Sequence, residues 1–189
     1  MTLIFDTETT GKADFKLVPE HILQPRLVQL GAMLFDDQWN IRASVSLIIK
    51  PNGYEIPSEV AKIHGITQEV ALKYGLSERA VLALFSGLCS RATTLVAHNI
   101  KLDGIVMGRA FSVHKDLPPV QLPTPFCTMT AMTPICKLPS KFPGQQFKWP
   151  TLTEAYAHCF NKFPEKSHDA LADVISCAAV YRWIQTQPK

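Results

Sequence analysis

The sequence has 189 residues, of which 47% are hydrophobic and 19% are charged. These proportions are ordinary for a soluble globular protein, and the length suffices for one domain with a sizeable hydrophobic core. The formal net charge of +3 permits a polyanionic partner without demonstrating one. Composition therefore excludes a fibrous or low-complexity chain and predicts a single domain over residues 1–189.

The sequence shows neither a targeting signal nor a cysteine framework. The first residues, MTLIFDTETTG, lack a basic leader, and no apolar run approaches the roughly 20 residues of a membrane helix. The five cysteines are scattered and form no CxxC pair, which argues against both disulfides and a structural zinc site. We therefore expect a cytoplasmic protein with free thiols and no membrane partner.

The first fifty residues predict three successive strands. Apolar runs rich in β-forming residues lie at 2–6, 27–35 and 41–49. The glycine and prolines between the first two runs predict a long loop over residues 11–26.

Helical patterns follow, with one short strand among them. Hydrophobic spacing and capping residues predict helices at 58–63, after Thr67, at 78–88 behind Ser77, at 99–111, from the Thr151–Glu154 capping box to 160, and from Ser167 to 185. The run Thr94–Ala97 predicts a strand. This order predicts an α/β domain with a mixed sheet whose first strands pair as a meander.

Residues 118–150 hold eight of the fourteen prolines. They predict a loop-rich elaboration on the rim of the domain, with one helix near Thr128–Cys136. Its basic and aromatic residues are Lys137, Lys141, Phe142, Phe147, Lys148 and Trp149. One interpretation is a platform on which single-stranded nucleic acid stacks while the lysines attract phosphates. The other is that the aromatic residues, Trp149 above all, anchor the segment to the core.

Two carboxylates lie close together in the segment FDTETTG. Side chains alternate along a strand, so Asp6 and Glu8 point to the same side near a strand end. Like charges raise each other's pKa unless a cation lies between them, and carboxylate oxygens suit Mg²⁺ or Mn²⁺. Taken alone, the pair also fits two solvated acids at a strand end.

Two further motifs place an acid near the start of a helix. Asp103 follows Asn99 in HNIKLD, where an acid is commonly only a partner of the helix dipole. In SHDALAD, His168 precedes the helix and Asp173 lies beside an apolar run, in which an unpaired acid is costly. Asp169 fits a dipole partner better than a metal ligand.

In this order, the three motifs resemble those of the DEDD superfamily of exonucleases, specifically its DnaQ-like DEDDh branch, which includes bacterial proofreading subunits. The D-x-E motif of the family corresponds to Asp6 and Glu8, and its second-motif acid corresponds to Asp103. Its H-x4-D motif corresponds to His168 and Asp173. The resemblance covers nearly the whole chain.

The resemblance implies a ribonuclease H-like fold with a central five-stranded mixed sheet flanked by helices. It also implies that Asp6, Glu8, Asp103 and Asp173 hold two divalent cations, Mg²⁺ or Mn²⁺, with Asp6 as the candidate bridging ligand. Two such cations about 4 Å apart can activate a water and stabilise the leaving oxygen of an in-line displacement. His168 would be the general base, because imidazole exchanges protons near neutral pH.

By the same resemblance, the 3′-terminal nucleotide fits a closed pocket. The candidate substrate-binding residues, partly within the segment IHGIT, are Thr7, Thr9, Thr10, His64, Thr67 and Asn99. His64 could instead be a surface histidine that flanks a helix. Leu102 stands where the family often has Phe, Gln29 where it often has an acid, and the 11–26 loop is longer than usual. These departures concern substrate preference more than catalysis.

These features predict a 3′→5′ exonuclease that releases nucleoside 5′-monophosphates. Single-stranded DNA is the expected polymer, but the sequence itself distinguishes neither DNA from RNA nor single from double strands. A non-catalytic nucleic-acid-binding or polymerase-associated module would share the fold, but the complete set of acids and His168 argues against it. A structural protein with solvated acids is a third alternative. Because the chain ends soon after the last predicted helix, we expect a stand-alone enzyme without a polymerase-docking tail. The sequence leaves the oligomeric state open.

Overall fold

The computed structural model describes residues 1–165 and 168–187 of the chain. The centre of the fold is a five-stranded mixed sheet. Its strands are β1 (Thr2–Thr9), β2 (Leu27–Phe35), β3 (Ile41–Ile48), β4 (Thr94–Ala97) and β5 (Thr124–Cys127). They lie in the order β3-β2-β1-β4-β5, with β1 to β3 antiparallel and β4 and β5 joined in parallel. The predicted meander and mixed sheet are confirmed.

Helices flank this sheet. They are α1 (Ser58–His64), α2 (Gln68–Tyr74), α3 (Glu78–Cys89), α4 (Ile100–Val113), α5 (Thr128–Cys136), α6 (Leu152–Phe160) and α7 (Ala170–Thr186). Thr67 and Ser77 cap α2 and α3, and the Thr151–Glu154 capping box opens α6, as predicted. Within the described ranges, we find no helix with the length and apolar character needed to cross a bilayer.

The strand β5 is absent from the pattern-based prediction. It has only four residues and contains Pro125, so it carries little of the signal that identifies a strand. It lies at the edge of the sheet and pairs only with β4, a position where a missing backbone N–H is tolerated. The fifth strand was therefore implied by the family resemblance alone.

Two element ends differ from their predicted positions. The strand β1 continues beyond residue 6 to Thr9, because it pairs with β2 as far as Leu27. Ser167, predicted to cap the last helix, lies outside the described residues. In the described chain, the Asp169 side chain caps α7 by accepting a hydrogen bond from the backbone N–H of Ala172 at 3.0 Å.

The two faces of β1 are covered by different helices. Leu3 and Phe5 are buried in a cluster with residues of α3 and α4, and the rings of Phe5 and Phe85 lie 5.2 Å apart. Ile4, on the opposite face, is buried in a cluster with Val174 of α7. Because burial of such side chains is the main favourable term in folding, these clusters fix α4 and α7 on either side of β1.

Candidate active site

Asp6 and Glu8 lie on the face of β1 that α7 covers, since they alternate with the buried residues of the other face. Asp6 is opposite Gly31 in the pairing of β1 with β2. A Cβ atom at Gly31 would lie only 2.7 Å from the backbone nitrogen of Leu171. The missing side chain at Gly31 thus allows the start of α7 to approach the sheet beside Asp6.

Asp103 reaches the same place from α4. It is in the first turn of the helix, as predicted, and only 2% of it is exposed. Its carboxylate accepts hydrogen bonds from the Thr7 hydroxyl at 2.8 Å and from the Thr7 backbone N–H at 3.1 Å. These bonds hold the Asp103 carboxylate against β1, beyond what a helix-dipole partner requires.

His168 and Asp173 lie at the start of α7. The His168 backbone N–H donates to the Asp173 carboxylate at 3.1 Å, and the His168 side chain is exposed. His168 has a φ of 62°, in the left-handed region that non-glycine residues rarely adopt. Such strained backbone persists only where the surrounding structure enforces it, and it is concentrated at functional sites.

Gln29 fixes this turn, a role that sequence reasoning missed. Only 4% of Gln29 is exposed, and its side-chain oxygen accepts a hydrogen bond from the Ala170 backbone N–H at 3.1 Å. Its amide nitrogen donates to the Ser46 hydroxyl at 3.0 Å and to the Asp169 carboxylate at 3.4 Å. A polar residue inside the apolar run LVQLGAMLF was the available signal.

The predicted catalytic residues therefore meet at one end of β1. Glu8, His168 and Asp173 each offer one ligand atom, and these atoms lie within 4.8 Å of one another. Asp6 adjoins this group because it shares its face of β1 with Glu8, and Asp103 adjoins it through its hydrogen bonds to Thr7, which lies between Asp6 and Glu8.

Burial raises the pKa of all four acids, and repulsion from neighbouring acids raises the pKa of Asp6, Glu8 and Asp173 further. Burial is the largest cause for each, and it raises the pKa of Glu8 to about 7 and that of Asp103 to about 7. The pKa of Asp6 lies well above its ordinary value, and that of Asp173 is also raised. No lysine or arginine pairs with any of the four within residues 1–165 and 168–187. Such a set of hard oxygen donors without a cationic partner fits divalent cations such as Mg²⁺.

His64 lies close to this cluster. Only 8% of it is exposed, so the alternative of a surface histidine is wrong. Its Nδ1 atom accepts a hydrogen bond from the Ile66 backbone N–H at 3.1 Å. Burial lowers the pKa of His64, and the charge of His168 lowers it further.

The four threonines among the other predicted substrate-binding residues form side-chain hydrogen bonds inside the protein. Thr7 bonds Asp103, the Thr9 hydroxyl donates to the Gly11 carbonyl at 2.6 Å, and the Thr10 hydroxyl accepts from the Arg26 backbone N–H at 2.9 Å. The hydroxyl of Thr67 caps α2. Asn99, at the start of α4, has a φ of 74°, and its side chain does not cap the helix. Their contribution to substrate binding stays a prediction.

The aromatic residues of the proline-rich segment are mostly outside the core. Trp149 is 63% exposed and Phe142 is 73% exposed, so the interpretation of Trp149 as an anchor is wrong. Lys148 is paired with Glu154 at 2.5 Å. His98 attaches the end of the segment, because its Nε2 atom lies 3.0 Å from the Pro150 carbonyl oxygen.

Comparison with known proteins identifies the family. Residues 3–181 match the RNase_T family, which is described as exonuclease. The chain belongs to the RNase_T exonuclease family. Members of this DnaQ-like family are phosphodiester hydrolases, and they generally use divalent metals. The family resemblance inferred from the motifs is confirmed.

Solved structures of exonuclease I share the fold. E. coli exonuclease I in complex with a dT13 oligonucleotide is 20% identical, with a TM-score of 0.75 over 98% of this chain and 41% of that chain. Exonuclease I from Methylocaldum szegediense is 21% identical, with a TM-score of 0.70 over 100% of this chain and 41% of that chain. This chain thus spans 41% of their length. The predicted ribonuclease H-like fold is confirmed, while no protein with a curated description matches significantly.

Proposed function

We propose that this member of the RNase_T family is a 3′→5′ exonuclease that hydrolyses single-stranded DNA to nucleoside 5′-monophosphates. The observation that carries the proposal is the convergence of Asp6, Glu8, Asp103 and Asp173 from β1, α4 and α7 beside an exposed His168. Acids this close to one another, without a cationic side chain, are destabilising in themselves, so a role with bound cations accounts for them.

The four acids, hereafter the acid cluster, are the residues that would hold two Mg²⁺ or Mn²⁺ ions. Asp6 would be the central member of this set, because it shares a face of β1 with Glu8 and directly precedes Thr7, which binds Asp103. Ions bound there would promote deprotonation of a water and stabilise the negative charge on the leaving oxygen.

His168 is the candidate general base. Its imidazole lies within 4.8 Å of the ligand atoms of Glu8 and Asp173 and faces solvent, from which the attacking water comes. His168 takes a proton from that water as the water oxygen bonds to the terminal phosphorus. The bond from this phosphorus to the 3′ oxygen of the preceding nucleotide breaks, this oxygen takes a proton from solvent to become the new 3′-hydroxyl, and a nucleoside 5′-monophosphate leaves.

Two observations support single-stranded DNA as the polymer. E. coli exonuclease I, which has a similar fold, is bound to a dT13 oligonucleotide in its structure. On the rim of this chain, Phe142 and Trp149 are exposed, and the exposed Lys137 and Lys141 precede them on the same segment. Surfaces that combine base stacking with phosphate attraction have this composition.

The test is nucleotide release from single- and double-stranded DNA and RNA labelled at either end, with Mg²⁺, Mn²⁺ or EDTA. We expect metal-dependent release of mononucleotides from the 3′ end, fastest for single-stranded DNA. Asp6→Asn should abolish release with the fold retained, and His168→Ala should slow it by about 10²–10⁴-fold. Asp37→Asn, in an exposed acid outside the site, is the matched control.

Two results would contradict the proposal. If Asp6→Asn released nucleotides at the wild-type rate, the acid cluster would not be the catalytic centre. If wild-type protein bound single strands but released nothing with either metal, the chain would be a binding module on an exonuclease fold.

A further inference from the structure

Residues 11–26, hereafter the 11–26 loop, leave and rejoin the sheet beside the acid cluster. The two ends of the loop are tied together, because the Thr10 backbone N–H donates to the Arg26 carbonyl at 3.0 Å. The Thr10 hydroxyl in turn accepts a hydrogen bond from the Arg26 backbone N–H at 2.9 Å. The loop starts at Gly11, three residues after Glu8, so it forms part of the rim of the candidate active site.

Gln24 gives this loop a fixed shape. It is 2% exposed, and its side-chain oxygen accepts from the Asp14 backbone N–H at 3.1 Å. Its amide nitrogen donates to the carbonyls of Asp14 at 2.8 Å and Leu17 at 3.3 Å. One buried amide thus satisfies backbone groups that a mobile loop would leave to water.

The loop is also seated on α4. Pro19 packs so closely on Gly108 that a Cβ atom added at Gly108 would lie 2.8 Å from the Cβ of Pro19. The loop and the helix that carries Asp103 therefore form one continuous surface.

The solvent side of this surface carries an aromatic ring and basic side chains. Phe15 is 49% exposed, and the Lys101 ammonium lies 5.3 Å from the centre of its ring. Lys101 is in the first turns of α4, two residues before Asp103. Lys12 and Lys16 are exposed on the same loop. The Asp14 carboxylate is used within the loop, where it accepts from the Lys16 backbone N–H at 2.9 Å.

The Phe15–Lys101 pair lies beside α4, on the opposite side of β1 from α7, the helix that His168 precedes. α4 packs on the face of β1 that holds Leu3 and Phe5, whereas α7 packs on the other face. If the terminal nucleotide is bound at the four acids beside His168, the preceding part of the strand can leave across α4 and the 11–26 loop.

We propose that Phe15, Lys101, Lys12 and Lys16 form a surface for the single strand on the 5′ side of its terminal nucleotide. This inference rests on the proposed function. A base stacks on the exposed face of Phe15, and the lysines attract the phosphates on either side of it. The surface contributes to binding and takes no part in the hydrolysis step.

The surface predicts a dependence on substrate length. A dinucleotide fills the catalytic end only, whereas an oligonucleotide of about 20 nucleotides also reaches the loop. Phe15→Ala should raise KM for the long substrate about 10-fold, with kcat unchanged and dinucleotide hydrolysis unaffected. Phe15→Trp should retain the wild-type KM, and Lys101→Gln should lower the salt dependence of binding by about one phosphate contact.

The chain offers a matched control at the C-terminal end of α2. There the Lys73 ammonium lies 5.1 Å from the centre of the Tyr74 ring, which is 63% exposed. Tyr74→Ala and Lys73→Gln remove a similar exposed aromatic and lysine pair away from the loop. Both should leave KM for both substrates unchanged.

Binding of a fluorescent single strand in EDTA separates this inference from the proposed function. If wild-type protein binds the strand and Phe15→Ala binds about 10-fold more weakly, the surface stands even where no nucleotide is released. Equal losses of hydrolysis by Phe15→Ala on the dinucleotide and the long strand would overturn the inference, since they would show that Phe15 only supports the fold of the site. Unchanged binding by Phe15→Ala and Lys101→Gln would overturn it as well.

Discussion

Two groups of charged side chains near the C-terminal end of β1 differ in how their charge is balanced. In the first, Glu78 at the start of α3 is 8% exposed and lies beside an arginine and a histidine. One of its oxygens lies 3.0 Å from the His114 Nε2 atom and 3.6 Å from the Arg26 Nη2 atom. The Arg26 guanidinium in turn lies 4.6 Å from the centre of the Tyr54 ring. This group joins α3 to β2 and to the end of α4.

The second group is the acid cluster of Asp6, Glu8, Asp103 and Asp173, which has no lysine or arginine partner in the described chain. The pKa of each acid in this cluster is raised, whereas the Glu78 carboxylate lies 3.6 Å from the Arg26 guanidinium. The charge of Glu78 therefore stabilises the fold, whereas the charges of the acid cluster destabilise it. Such destabilising charges are expected where a cation is to be bound.

The largest effect on stability should come from the paired group. Glu78→Gln leaves the Arg26 guanidinium half-buried without its acid, and loss of one partner from such a pair is strongly destabilising. We expect the free energy of unfolding in urea to fall by about 3 kcal/mol, with metal binding retained. Glu69→Gln, on the surface of α2, should change it by less than about 0.5 kcal/mol. Equal effects of the two variants would show that the Glu78 pairs contribute nothing.

Gly31→Ala should move Asp173, at the start of α7, away from Asp6 on β1. The new methyl group would lie within 2.7 Å of the Leu171 nitrogen, so the start of α7, with His168 and Asp173, must move away from Asp6. A displacement of about 1 Å can cost about 10²-fold in rate, and we expect a loss of that size in nucleotide release.

Gly87→Ala is the control for that substitution, because a Cβ atom at Gly87 in α3 meets nothing within 4 Å. It should leave the rate unchanged and stabilise the helix by about 0.5–1 kcal/mol. Wild-type activity in Gly31→Ala would mean that the spacing between α7 and β1 does not govern catalysis.

The acid cluster should make the metal-free protein less stable as the pH rises. Glu8 and Asp103 have a pKa of about 7 in the folded protein, against ordinary values of 4.5 and 3.8. The folded chain therefore binds these protons more tightly than the unfolded chain does, and that stabilisation is lost as the pH rises through about 7. In EDTA, Tm should fall by a few degrees between about pH 5.5 and 8.

Mg²⁺ should reverse this trend. It competes with the protons for the same oxygens, so it should raise Tm more at about pH 8 than at about pH 5.5. A metal-free Tm that rises over this range, or a Mg²⁺ effect that is equal at both pH values, would contradict the account of the acid cluster.

Asp6→Asn should have the smallest effect on the free energy of unfolding, and this effect should be a gain, whereas Glu78→Gln should cause a loss. Asp6→Asn removes one like charge from the centre of the acid cluster, so the metal-free protein should gain on the order of 1 kcal/mol at about pH 8. Urea unfolding in EDTA measures this gain. Destabilisation by Asp6→Asn would mean that Asp6 is part of a paired network like that of Glu78.

The placement of the paired site residues could be predicted from the sequence because it follows from local spacing. Strand alternation places Asp6 and Glu8 on one side, and the H-x4-D spacing joins His168 to Asp173. The supporting contacts could not be predicted, since they connect distant positions. Gln29 meets Ala170 across 141 residues, and only the packed structure shows that Gly31 admits α7.

The same reason explains what was missed in the rest of the fold. The strand β5 is held by its pairing with β4, and its own four residues, with Pro125 among them, give little signal. The 11–26 loop was recognisable as a loop from its glycine and prolines. Its fixed shape depends on the buried side chain of Gln24, which composition does not indicate.

Titration calorimetry of Mn²⁺ into the metal-free protein at about pH 8 tests the central claim most directly. The account predicts about two ions per chain for wild-type protein, loss of that binding in Asp6→Asn, and wild-type binding in Glu78→Gln. Absence of Mn²⁺ binding to wild-type protein, or undiminished binding to Asp6→Asn, would contradict it.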